Sequence, residues 1–252
     1  MDKRLFIPEK WFTDDYRDRR KKCKVPGDAT YRTKPELATE MLQAISQENV
    51  LPFKYVLADK IYGASPEFIS AVEALPGKIY MVTVTKDTQC WLKRPMTITK
   101  KYRWGGETRE KTVLADPGSK PLTVEELGKN INDYFWYRRQ VSEGAKGPIV
   151  YEFTRRQIIL SLGGLPQKTV WLLIRRSLGD DPKYSYFLCN APQSTKLKRL
   201  IWLSGIRWAI EQCFEETKTE LGMDHYEVRK LPGWHHHMLT CIMAHFFLWH
   251  LK

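Results

Sequence analysis

Three charged residues late in the chain, Arg207, Glu211 and Lys218, follow one another at intervals of four and seven positions. On an α-helix, at about 100° per residue, they fall within about 40° of one another and form one stripe. Carboxylates are the ligands that hard divalent cations require, and Arg and Lys bind phosphate oxygens. An ordinary amphipathic helix with an Arg–Glu pair of surface strength is the alternative, and spacing alone favours it.

Asp59 is the second chemical candidate, because it follows a continuous apolar run at residues 55–58. Such a run is expected of a central strand that is buried on both faces. An ionisable group at the carboxyl end of that strand, before a glycine-containing turn, lies where open α/β sheets bind their ligands. A turn aspartate that caps the following loop is the alternative, and Asp59 taken alone favours it.

Local patterns predict the elements that position Asp59. Residues 34–47 predict a helix, since a proline stands in the first turn and apolar residues recur at helical spacing. Residues 65–75 predict a second helix, which opens with Ser-Pro-Glu. Residues 79–84 predict another buried strand, and strand, helix, strand at these lengths indicates a parallel crossover unit.

The remaining chain divides into a strand-rich part and a helical part. Short β-branched and aromatic runs, separated by glycine, proline and charge, predict a β-rich insertion over residues 88–194. Helices are predicted over residues 195–221 and from residue 234 onward. The apolar side chains expected to face the core on the first of these helices are Ile206, Ala209, Ile210, Cys213, Phe214 and Leu221.

Composition limits the classes of protein to which the chain can belong. The 252 residues are 42% hydrophobic and carry a formal net charge of +12, which indicates a globular protein with a polyanionic partner, or simply a basic solvated surface. Five scattered cysteines without a C-x-x-C pair suggest neither disulfides nor zinc and favour a reducing, cytoplasmic setting. The most apolar stretch, residues 238–251, is shorter than the ~20 residues of a membrane span, so a soluble protein is predicted.

Two segments resemble the catalytic motifs of DDE-type insertion-sequence transposases. Residues 56–63, with the sequence VLADKIYG, resemble the second-aspartate motif. Arg207-x3-Glu211-x6-Lys218 resembles the last three members of the Tyr–Arg–Glu–Lys signature, and only Glu211 among the nearby acids satisfies both spacings. Further similarity lies in YRTKPEL at residues 31–37 and in GMDHYEVR at residues 222–229, so the resemblance covers nearly the whole chain.

The resemblance implies an α/β fold, with an RNase H-like mixed sheet, flanking helices and a β-rich insertion before the C-terminal helices. Residues 1–87 would then be the first part of the core and residues 88–194 the insertion, and residues 195–252 would complete the core with helices. The implied partner is double-stranded DNA, as transposon ends and target, and a homodimer is one assembly to be tested. No membrane partner is expected.

The resemblance also implies a reaction, the divalent-metal-dependent cleavage and strand transfer of phosphodiesters. Two Mg²⁺ or Mn²⁺ ions about 3.5–4 Å apart would activate the attacking oxygen and stabilise the leaving oxygen. Asp59 and Glu211 are the implied catalytic residues and metal ligands, and Arg207 and Lys218 would hold DNA phosphates. This hypothesis requires the two carboxylates to converge closely enough to share cations.

Two departures from the family pattern stand out. Ser204 occupies the tyrosine position of the signature, where its hydroxyl could still bind a phosphate without offering a stacking surface. The first aspartate of the family belongs to a strand upstream of the region that aligns with residues 4–11. The available N-terminal acids are Asp2, Asp14, Asp15 and Asp28, and none of them ends an apolar strand. We therefore expect a sheet without its leading strands, an incomplete metal site and a polypeptide that does not cleave DNA by itself.

Several alternatives stay open at the level of sequence. A truncated remnant, a split gene and a mis-started gene would each explain the missing aspartate. A non-catalytic DNA-binding or regulatory protein that inhibits the intact transposase is the main functional alternative, and a purely structural protein is another.

The basic run at residues 17–24 suits a DNA backbone or a solvated loop equally well. The three histidines at residues 235–237 favour local packing over a metal site, because adjacent helical side chains diverge.

Overall fold

The computed structural model describes residues 3–49, 51–144 and 147–251 of the chain. These residues fall into two compact units, one made of Met1–Pro52 with Ile206–Lys252 and the other of Phe53–Gly205. We call them the terminal unit and the central unit. The predicted division at residues 87 and 194 stays a prediction. Asp2, one of the acids named from the sequence, lies outside the described residues.

The described residues contain α-helices and β-strands in both halves of the chain. The helices are α1 (Arg17–Lys22), α2 (Lys34–Glu48), α3 (Lys60–Gly63), α4 (Pro66–Ala74), α5 (Val124–Lys129), α6 (Leu197–Ile206), α7 (Trp208–Thr219) and α8 (Leu231–His250). The strands are β1 (Tyr55–Ala58), β2 (Ile79–Val84), β3 (Gln89–Trp91), β4 (Thr97–Trp104), β5 (Glu107–Leu114), β6 (Leu122–Thr123), β7 (Tyr137–Gly144), β8 (Gly147–Leu162), β9 (Leu165–Ser177) and β10 (Tyr184–Cys189). Short 3₁₀ turns lie at Glu9–Phe12, Asp14–Tyr16 and Asp133–Phe135.

The central unit is built on an eight-stranded mixed sheet with the order β1-β2-β10-β9-β8-β3-β6, and β7 pairs with β8. β1 and β2 run parallel, with Ala58 opposite Val82, and they are connected through α3 and α4. The predicted crossover unit is therefore confirmed. The expectation that residues 55–58 form a central strand buried on both faces is wrong, because β1 lies at the edge of the sheet and only Val56 of its four residues is buried. Strands β8, β9 and β10 pair antiparallel within the same sheet, so the strands predicted as an insertion are continuous with the crossover unit. The structure confirms a mixed α/β fold.

The core of the central unit lies between the sheet and the helices that pack on it. Val72 of α4 and Tyr80 and Val82 of β2 are fully buried. Leu200 of α6 is fully buried as well, and Leu203 nearly so. β-Branched and aromatic residues dominate these strands, and they pack well on a pleated surface that is covered by helices. This packing fixes the strand ends on which candidate site residues stand.

The terminal unit contains α1, α2, α7 and α8. α2 begins with a capping box, in which Thr33 and Glu36 satisfy each other's backbone N–H groups, and this confirms the predicted helix start. A backbone hydrogen bond of 2.8 Å from Leu231 N to Cys23 O links the start of α8 to the residue after α1. Among the described helices, none is long and apolar enough to cross a membrane.

The single helix predicted over residues 195–221 is divided in the structure. α6 ends at Ile206, a turn at Arg207 follows, and α7 begins at Trp208. Gly205 precedes the turn, and a glycine weakens a helix because it loses the most backbone freedom on folding. Ala209, Ile210 and Phe214, which were expected to face the core, are exposed, the last two by 47% and 49%, so that part of the prediction is wrong. The face of α7 that packs on α8 carries Cys213, which was among the residues expected to face the core, and Glu216, and both contact His245.

Candidate active site

Asp59 stands between the end of β1 and the start of α3, where the sequence places it. Its Oδ1 accepts a hydrogen bond of 2.9 Å from Ile61 N, so the side chain caps α3. No other hydrogen bond to the carboxylate comes from the described residues, and the side chain is only partly buried. The capping role that the sequence allowed as an alternative is therefore real, and it occupies one carboxylate oxygen.

The helix that follows Asp59 lies close to the sheet because residue 63 is a glycine and has no β-carbon. A β-carbon at Gly63 would collide with the backbone carbonyl of Thr83 on β2. Tyr62, beside it, packs on Phe68 with ring centroids 5.2 Å apart. Burial, and to a smaller extent the negative charge of Asp59, raises the pKa of the Tyr62 phenol. The segment after Asp59 is thus fixed by packing, and this fixes the carboxylate that caps it.

Glu211 lies in the first turn of α7 and is paired with Arg207. The Arg207 Nη1 to Glu211 Oε1 distance is 2.6 Å, and the two side chains are 32% and 52% exposed. An ion pair this exposed contributes about 0–1 kcal/mol to stability. The pair therefore does little to hold α7 in place, and its charges stay accessible from solvent.

The other two residues of the predicted signature differ from each other in environment. Lys218 is exposed and lies about 10 Å along the helix axis from Glu211, at 1.5 Å per residue. Ser204 is buried, and its hydroxyl donates a hydrogen bond of 2.7 Å to Ile201 O. A hydroxyl has only one proton to donate, so Ser204 would have to leave Ile201 in order to donate to a phosphate. Its role in DNA binding stays a prediction.

The structure brings together Arg207 and Glu211 among the five predicted site residues. Asp59 and Ser204 belong to the central unit, whereas Arg207, Glu211 and Lys218 belong to the terminal unit. The convergence of Asp59 and Glu211 on shared cations is therefore still a prediction.

Asp87 is an acid that the sequence reasoning missed. It follows β2, and because β1 and β2 are parallel, the carboxyl ends of the two strands point to the same edge of the sheet. A hydrogen bond from the Thr85 side chain, followed by one from the backbone of Asp87, holds the pKa of this carboxyl below its ordinary value. An acid soon after a buried strand was the available signal, as it was for Asp59. The local hydrogen bonds account for Asp87 as a turn residue.

The basic run of residues 17–24 forms a short ordered helix, α1, and its end. Arg20 is turned inward and donates to the backbone carbonyl of Thr13 over 2.9 Å. Arg19 lies 5.3 Å from the ring centroid of Tyr16. These arginines therefore have structural contacts, and the contribution of α1 to DNA binding stays a prediction.

The donor set agrees only in part with a divalent metal site. Carboxylate oxygens are the ligands that Mg²⁺ and Mn²⁺ take, and the second oxygen of Asp59 is available for one. Within residues 3–49, 51–144 and 147–251, however, no group of three or more His, Cys, Asp or Glu side chains could hold a metal ion. The described residues thus do not form a complete metal cage, and no reaction step is derived through one.

A mixed sheet with helices connecting and flanking its strands, and with a carboxylate at the end of its edge strand β1, defines a protein of the mixed α/β class. The family model of the DDE superfamily endonucleases matches residues 1–148, which include Asp59. The chain belongs to this family. Membership implies a nucleic-acid substrate and, as in the family generally, the use of divalent metals. No curated protein matches the chain.

Proposed function

We propose that the chain is a DDE transposase relative that binds double-stranded DNA at transposon ends and target. Asp59 and Glu211 are its catalytic carboxylates and metal ligands for phosphodiester cleavage and strand transfer. The observation that carries this proposal is the position of Asp59 after β1, where one carboxylate oxygen is held by Ile61 and the other is available for a ligand. The RNase H-like character of the sheet and the Tyr–Arg–Glu–Lys signature belong to the same proposal.

The cationic residues of α7 and the preceding turn bind the phosphates in this proposal. Arg207 has five N–H donors and uses one terminal nitrogen on Glu211, so the rest of its planar fork is left for phosphate oxygens. Lys218 offers a mobile point charge from an exposed position. Mg²⁺ or Mn²⁺ would supply the activation of the attacking oxygen, and the protein would position the phosphate.

The 252-residue polypeptide alone is predicted not to cleave DNA. Asp14, Asp15 and Asp28, the described candidates for the third carboxylate, do not follow any strand of the structure. Two carboxylates give fewer ligands than the resemblance requires for two metal ions. Robust Mg²⁺-dependent nicking that is lost in both Asp59→Ala and Glu211→Ala would refute this prediction.

Binding of a labelled DNA duplex, followed by fluorescence anisotropy with and without Mg²⁺, tests the proposed site. Wild-type binding is expected to strengthen with Mg²⁺, and the increment should disappear in Asp59→Asn and in Glu211→Gln. Asn is a good N-cap residue, so Asp59→Asn removes the charge and keeps the cap of α3. Asp87→Asn is the matched control, because it removes a carboxylate at the same edge of the sheet that the proposal does not use.

The outcomes also separate the alternatives. Salt-sensitive DNA binding that is indifferent to Mg²⁺ and to Asp59 would replace the proposed site with a non-catalytic, regulatory DNA-binding protein. DNA affinity that is unchanged in Glu211→Gln with Lys218→Ala would assign the charged stripe to structure alone.

A further inference from the structure

The β4–β5 hairpin forms a sheet of its own, separate from the large sheet of the central unit. All eight residues of β4 and six of the eight residues of β5 are exposed. The strands are joined by Gly105 and Gly106 at φ of 60° and 82°, and two central residues with positive φ are typical of a tight type I′ hairpin turn. This turn fixes the register, in which Trp104 lies opposite Glu107.

Alternation along the strands gives the hairpin two distinct faces. The face that we call the lysine face carries Ile98, Lys100, Tyr102, Trp104, Glu107, Arg109, Lys111 and Val113. The face that we call the threonine face carries Thr97, Thr99, Lys101, Arg103, Thr108, Glu110, Thr112 and Leu114. Both faces are available to a partner over most of their length, so the charges on each decide what fits.

The hairpin has an excess of positive charge, and both of its acids are already paired. Five basic residues stand against two acidic residues between positions 97 and 114. Glu110 pairs with Lys101 over 3.3 Å, and Glu107 pairs with Arg109 over 3.5 Å. In the described part of the chain, Lys100 and Lys111 form no ion pair. The lysine face is therefore left with two uncompensated cations.

These two cations lie directly opposite each other across the hairpin. Residues at such positions have β-carbons about 4.5–5.5 Å apart, and like charges there are destabilising. Tyr102 and Trp104, which follow Lys100 on the same face, are 44% and 68% exposed. An isolated hairpin is marginally stable by itself, and this arrangement adds repulsion and exposed aromatic area. A polyanion bound to the lysine face would relieve the repulsion.

We propose that the lysine face of the β4–β5 hairpin is a docking surface for the phosphate backbone of duplex DNA, with Lys100 and Lys111 as the contacting cations. This inference deepens the proposed function and rests on its claim that the chain binds DNA. Lys100 and Lys111 bind backbone phosphates in this arrangement, and such contacts give affinity without reading sequence.

Two variants with equal charge loss test the inference in the full-length chain. Lys100→Gln with Lys111→Gln removes two cations from the lysine face, and Lys101→Gln with Arg103→Gln removes two from the threonine face. Affinity for a labelled random-sequence duplex is measured by fluorescence anisotropy over a series of salt concentrations, with EDTA present. Each lost phosphate contact lowers the slope of log affinity against log salt by about 0.9. The first variant should lose about 1.8 of slope and roughly tenfold or more in affinity at 0.1 M salt, and the control no more than a few-fold.

A third variant separates folding from binding. Lys111→Glu replaces the like-charge pair with an opposite-charge pair, so the unfolding temperature should stay the same or rise while DNA affinity falls. Equal losses in the two double variants, or full affinity in Lys111→Glu, would overturn the docking surface and leave DNA binding itself intact. Absence of DNA binding by the wild type would instead overturn the proposed function, and the docking surface with it. EDTA keeps the readout independent of the metal-dependent increment tested above.

Discussion

Gly63→Ala tests how closely α3 is fitted to the sheet. The added β-carbon would overlap the carbonyl oxygen of Thr83, and a backbone atom cannot move aside as a flexible side chain can. Overpacking of this kind costs about 1–3 kcal/mol. For a protein of this size each kcal/mol corresponds to about 2–4 °C, so the unfolding midpoint should fall by roughly 2–12 °C. Thermal unfolding followed by circular dichroism measures this shift.

Gly205→Ala is the matched control for this substitution. Gly205 also lies in a helix of the central unit, and nothing stands within 4 Å of the β-carbon that alanine would add. Alanine in a helix is favoured over glycine by about 0.5–1 kcal/mol, so this variant should be as stable as the wild type or more stable. A Gly63→Ala variant that unfolds at or above the wild-type midpoint would show that α3 does not pack on β2 as described.

Two further predictions concern groups whose pKa the fold shifts. Burial, with a smaller effect from the charge of Glu126, raises the pKa of the Cys90 thiol to about 11, and burial raises that of Cys189 to about 11. A thiol reagent at about pH 8 should leave both unlabelled in the native protein and label both after denaturation, as mass spectrometry would show; native labelling of Cys90 would contradict this. Hydrogen bonds from Thr123, first from its backbone N–H and then from its hydroxyl, hold the pKa of Glu126 below its ordinary value. These hydrogen bonds therefore stabilise the folded state above the ordinary pKa of a glutamate, and the stabilisation is lost as the pH falls through the pKa of Glu126 in the folded protein. Glu126→Gln should make the urea concentration at the unfolding midpoint less dependent on pH in the acid range. An unchanged pH dependence would show that the Glu126 carboxylate does not cap α5.

The elements that the sequence predicted well are those with local signals. Each of two helix starts is marked by a signal of at most four consecutive residues. These signals are the capping box of Thr33 and Glu36 before α2 and the Ser65 cap before Pro66 of α4. The apolar run at residues 55–58 predicted a strand, and the crossover to β2 followed from the lengths of the elements. In each case the information lies in neighbouring residues, which is why the prediction needed no knowledge of tertiary structure.

The features that the sequence did not predict depend on long-range pairing. The sequence of β8 does not predict its partners, which are β9 on one side and both β3 and β7 on the other. The separate β4–β5 hairpin follows the same composition rules as its neighbours, so its isolation and the Lys100–Lys111 pair became visible only with the register. The environment of Ser204 likewise required the structure, because spacing on a helix does not show to which group a hydroxyl donates.

The two interpretations of Asp59, as a helix cap and as a site residue, are compatible because a carboxylate has two oxygens. The Ile61 N–H holds one oxygen and thereby limits the rotation of the group, so the other oxygen points in a defined direction. A ligand group that is already fixed loses less conformational entropy on binding. Gly63 allows α3, which supplies this N–H, to lie against β2, because a β-carbon at this position would collide with the Thr83 carbonyl. Gly63→Ala should therefore reduce the Mg²⁺-dependent increment in DNA affinity while leaving the metal-free, salt-dependent part unchanged. An increment of wild-type size in this variant, measured well below its unfolding midpoint, would show that the cap does not orient the carboxylate.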